Sequence, residues 1–157
     1  MPEQTSPDDH GAEAFFRQQR GAFEHTLATA GPEAALLQAW DSFDGNVAIQ
    51  CEGQPPVACG KGCASCCELR VTALAPEVFV LANYLRATAP TLASHGINLI
   101  SAVRETDAAT RGQDETARVA MHRRSAFVVK GVCLIHRARP LACRGHASHD
   151  RRACVDA

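Results

Sequence analysis

The chain has 157 residues, of which 46% are hydrophobic and only 5% aromatic. That is enough for one domain with a modest core built mostly of Ala, Leu and Val. No stretch approaches the roughly 18 consecutive apolar residues that a membrane span needs, and the net charge of −1 excludes a polyelectrolyte.

The near-neutral total hides a gradient. Residues 1–50 carry eight acids against Arg17 and Arg20, whereas from His122 onward eight Lys/Arg face only Asp150 and Asp156. Residues 1–11 are polar, contain Pro2 and Pro7, and lack the apolar run of a secretory signal. They read as a disordered lead, and the expected address is cytoplasmic. Ala12 to Ala30 is predicted as a helix, with Phe16, Phe23 and Leu27 on one face. Gly31 ends it, and Pro32 suits the first turn of a short second helix carrying Leu36, Leu37 and Trp40. From Asp44 to Cys67 the periodicity dissolves among Gly45, Gly53, Pro55, Pro56, Gly60 and Gly62, which marks an irregular segment.

Helical character returns after Leu74. Pro76 and Glu77 suit a first turn, Val78, Leu81, Ala82 and Leu85 form an apolar stripe, and Pro90 closes the helix. A longer helical region is predicted over Ser94 to Arg124, with Gly112 kinking or splitting it. Phe127 to Val129 reads as an extended piece entering a turn at Lys130-Gly131, and Cys133 to Ala157 as short and irregular. The expected fold class is mainly α: a small helical domain over 12–157 with irregular cysteine-rich metal-binding loops, in which residues 51–157 form the cysteine-cluster region.

Eight cysteines are the chain's strongest signal. Cys51, Cys59, Cys63, Cys66 and Cys67 fall in one group; Cys133, Cys143 and Cys154 form another near the end. In a reducing compartment, clustered cysteines bind metal more often than they form disulfides. The first motif, CGKGCASCC, holds Cys59, Cys63, Cys66 and Cys67. Two thiolates separated by two residues can bend around one metal, and Gly60 and Gly62 permit tight turns and close approach of backbone N–H groups to sulfur. Adjacent side chains point apart in extended structure. Cys63 and Cys66 are therefore expected in one site, with Cys67 either serving a second metal or packing. The second motif, GVCLIHRARPLACRGH, holds Cys133 and Cys143; Pro140 keeps Arg139 extended, and Arg144 places a cation after Cys143. His136, His146 and His149 are weaker candidates, because surface histidines are common. Neither half supplies an evident four-ligand zinc site alone, so both are expected to meet. Four thiolates on one divalent ion leave a net −2, and the interleaved arginines suit charge compensation better than nucleic-acid binding.

Together these motifs resemble the YkgJ-type cysteine-cluster family, a zinc- or iron-chelating domain with the hallmark CxxxCxxCC. Cys59, Cys63, Cys66 and Cys67 match it position by position. The stretch from Cys133 through Arg139, Pro140 and Cys143 to Arg144 is similar to its C-x-I-Y-x-x-R-P-x-x-C-R element, with His136 at the tyrosine position. Gly145 to Ser148 with Cys154 looks like a trailing segment seen in some members, and Glu77 falls where an acid opens the following helix. Ser125 stands where members commonly carry a cysteine, which makes Cys51 a candidate replacement. The resemblance implies zinc or iron, including an iron–sulfur cluster, held by Cys59, Cys63, Cys66, Cys67, Cys133, Cys143 and Cys154. The function expected is metal binding, the alternative an iron–sulfur redox or enzyme-accessory role. A Gly-rich strand-to-helix turn for a nucleotide is missing, which argues against a self-contained enzyme.

Overall fold

The structure is a computed structural model, and it describes residues 7–60 and 62–154, with the side chains of 7–10 left out. The described residues are mainly helical, and the chain divides into two compact units, residues 1–47 and 48–157.

The first unit is built on α1, Pro7–Gln50. The helix starts inside the expected disordered lead, and the part of that lead before Pro7 lies outside the described residues. It is not one straight rod. Gly31 has φ 87° and ψ 178°, a region essentially restricted to glycine, and Pro32 follows with its φ preset for a new first turn. The two arms are joined across the bend by the Ser42 hydroxyl donating to Gln19 Oε1 at 3.1 Å. Leu36 and Trp40 on the second arm are buried. That arm runs to Gln50, past the point at Asp44 where the sequence pattern dissolves; Gly45 is carried within it.

The second unit opens with loops that lead into a 3₁₀ turn at Ser65–Glu68. Next comes α2, Ala75–Ser94. Pro90 does not close this helix as expected. It is exposed and one turn from the end, where a lost helix hydrogen bond is least costly. The actual stop is Gly96, at φ 74°, in the left-handed conformation that commonly ends helices. The region predicted as one long helix is split into α3, Leu99–Thr110, and α4, Glu115–Ala120. Gly112 at φ 77° breaks it. Asn98 and Asp114 cap the two pieces by accepting from Ser101 N and Ala117 N, each satisfying a helix-end donor.

A two-residue hairpin follows: β1, Val128–Val129, antiparallel to β2, Val132–Cys133. Lys130 and Gly131 between them both have positive φ, 49° and 76°, as a type I′ turn requires. The last part is less irregular than its sequence suggests, with a 3₁₀ turn at His136–Ala138 and α5, Leu141–Gly145. Helix α2 packs against α3 and the His136–Ala138 turn. Val80, Leu99, Ile135 and Ala138 are buried in this unit, and Tyr84 Oη donates to Leu134 O.

Candidate metal centre

The loop that carries the first cysteine motif is tied to the later chain at several points. Ala58 N donates to Ser148 O at 2.9 Å, and Ser125 N donates to Cys67 O at 2.8 Å. Glu68 pairs with Arg124 and with His122, while Arg70 reaches Glu115 and Gln113 O. A Cβ built on Gly131 would stand 3.5 Å from Gly62 Cα, so the hairpin turn seats directly against the glycine of the first motif. The two cysteine-bearing stretches are thus neighbours, held by backbone hydrogen bonds and by glycine-on-glycine packing.

The 3₁₀ turn eases the difficulty expected of consecutive cysteines. Side chains would diverge on an extended strand, but Ser65–Glu68 is coiled, which lessens that divergence. Burial pushes the Cys67 thiol up to about 12, and the charges of Cys66, Cys133 and Cys143 push the same way. Cys66 is raised by burial, then by Cys59 and Cys63. Cys143 is raised by burial, then by Cys133 and Cys66, with Glu77 adding to the rise and the Arg139 guanidinium opposing it. These thiols therefore feel one another across the two motifs. Metal-free, Cys66, Cys67 and Cys143 favour the protonated form, first because burial penalises a thiolate and then because neighbouring thiolates would repel.

Arg144 follows Cys143 in the chain, but its guanidinium donates to Arg139 O and Arg137 O and so braces the loop around Pro140. Arg139 is the cation that favours the Cys143 thiolate, and its Nη1 lies 2.7 Å from His136 Nε2.

The remaining candidates differ in placement. Cys51 is in the turn that ends α1, bonded through its carbonyl to Gln54 N, and Cys154 is in the last described turn. Cys59 is exposed, its sulfur 4.0 Å from Ser148 O. His136, His146 and His149 are exposed. Ser125 is half-buried, and its backbone lies against Cys67. Among the described residues, no three His, Cys, Asp or Glu side chains are already arranged to hold a metal ion. The donor chemistry nonetheless suits a soft or borderline cation: thiols of the two motifs are near enough to influence one another, as is the Arg139 guanidinium.

One contributor was only half legible in the sequence. Glu77 marks itself as a helix opener, and its Oε2 accepts from Leu74 N at 2.8 Å. Its Oε1 also accepts from Leu141 N at 2.7 Å, the first residue of α5. Nothing in local sequence announces that bond across 64 positions. Compared with family profiles, with curated proteins and with solved structures, the chain matches none. Among the described residues, no helix is long and apolar enough to cross a membrane.

Proposed function

We propose that this protein binds zinc or iron, the latter as an ion or an iron–sulfur cluster, through thiolates drawn from both cysteine motifs. The observation that carries the reading is the influence of Cys133 and Cys143 on Cys67 and of Cys66 on Cys143, across more than sixty residues of chain. Cys59 and Cys63 extend the donor set on the side of Cys66. A bound cation would favour the thiolate forms that burial and neighbouring thiols disfavour at Cys66, Cys67 and Cys143, and Arg139 would offset the excess negative charge of a multi-thiolate centre. A centre spanning both motifs would also tie the second unit together, contributing on the order of 10 kcal/mol in small zinc domains. Arg139 acts on the Cys143 thiol, which favours charge compensation over nucleic-acid binding for this part of the basic end, while Arg124 and Arg144 are held by Glu68 and by backbone carbonyls. The resemblance to the YkgJ-type family points to the same chemistry.

The test is metal content of anaerobically purified wild type, Cys63→Ser and Cys143→Ser. Wild type is expected to carry metal, and each variant to lose most of it. A broad absorbance near roughly 400 nm assigns an iron–sulfur cluster, whereas a colourless loaded protein assigns zinc. Wild-type metal content in both variants refutes a centre shared between the motifs.

A further inference from the structure

Glu77 is the one buried charged side chain among the described residues, with 2% of its surface exposed. A carboxylate removed from water costs several kcal/mol unless its oxygens are hydrogen-bonded. An ordinary capping acid at the third position of a helix meets that requirement at the surface with one bond to its own N-terminus. Here that bond uses only Oε2, to Leu74 N. The other oxygen crosses to Leu141 N, which opens the five-residue helix carrying Cys143. The same carboxylate thus grips the start of α2, shortly after the first motif, and the start of α5 within the second.

We infer that Glu77 is a positioning residue for the thiol centre, clamping α5 so that Cys143 faces Cys66 and Cys67. The inference rests on the two-motif reading above and assigns it a residue that is no ligand. Its two oxygens accept from backbone N–H groups at two helix starts. Its contribution is geometric. Cys133 should be independent of it, because β2 is held by other contacts: the pairing of Val128 with Cys133, and the bonds from Leu134 N to Phe127 O and from Tyr84 Oη to Leu134 O. That independence separates positioning from general destabilisation.

The experiment uses the full chain, reduced and metal-free, treated with a short bifunctional maleimide and digested with trypsin. The sequence places Cys63, Cys66 and Cys67 on peptide 62–70, Cys133 on 131–137 and Cys143 on 138–144, so each link is resolved by mass. Wild type is expected to yield links from 62–70 to both later peptides. In Glu77→Gln, the link to 138–144 should fall several-fold while that to 131–137 persists, because an amide NH₂ now opposes one of the two N–H donors. Leu141→Pro is the second variant. It deletes the N–H that Glu77 accepts in α5 along with the half-buried Leu141 side chain, at a first helical position where proline is tolerated, and the ψ of 159° at Pro140 suits a following proline. It should reproduce the selective loss. Parallel loss of both links, retention of both, or a wild type without the 138–144 link overturns the inference. A wild type that gives both links yet takes up no cobalt(II) retires the metal reading and leaves Glu77 in its positioning role.

Discussion

Gly131→Ala and Lys130→Asn should move stability in opposite directions, because both residues occupy left-handed backbone in the turn that seats the second motif against the first. At Gly131, φ is 76° and a new Cβ would lie 3.5 Å from Gly62 Cα. That is ordinary van der Waals contact, so no clash is added. The cost is conformational, about 1–2 kcal/mol for an L side chain in this region. Lys130 already bears such a cost at φ 49°. Asn tolerates the conformation far better, and Asn-Gly is the preferred type I′ pair, so Lys130→Asn should recover on the order of 0.5–1 kcal/mol. The assay is urea unfolding of the reduced, chelator-treated protein followed by far-ultraviolet circular dichroism. Fluorescence is the wrong probe, since the single tryptophan, Trp40, lies in the first unit. A midpoint that falls for Gly131→Ala and rises for Lys130→Asn supports the turn assignment. Equal signs, or a neutral Gly131→Ala, refute it.

Stability of the reduced, metal-free protein should decline with alkaline pH. Cys67 is raised from an ordinary 9.0 to about 12, and Cys66 and Cys143 move the same way, so the folded state keeps protons that the unfolded chain releases. That contribution is complete below about pH 9 and is lost as pH climbs toward 12; denaturant midpoints across this range that rise or stay flat would contradict it. Metal uptake has the opposite dependence, improving as pH rises and releasing protons that a weakly buffered titration can count. In the first unit, Trp40 is only 3% exposed, and Trp40→Ala should cost about 3–5 kcal/mol. Limited trypsin digestion reads this as rapid cleavage after Arg17 and Arg20, and wild-type resistance would show that the tryptophan is not the unit's anchor.

The sequence alone settled whatever depends on neighbours along the chain. Apolar periodicity marked the helical segments, Gly31-Pro32 marked the bend in α1, Lys130-Gly131 marked the hairpin turn, and the cysteine spacing marked the two stretches that bring thiols into the second unit. These features are local, since a backbone angle or a helical stripe is decided within a few residues. Local signals also misled where competing forces were close in size: Pro90 is tolerated at an exposed helix end, and Gly45 is absorbed into a helix that continues to Gln50. Tertiary structure alone decided that Gly62 meets Gly131 and that Glu77 spans two helix starts. Each of these joins residues far apart in sequence. Which distant groups meet depends on how whole elements bury one another, and no window of neighbouring residues contains that information.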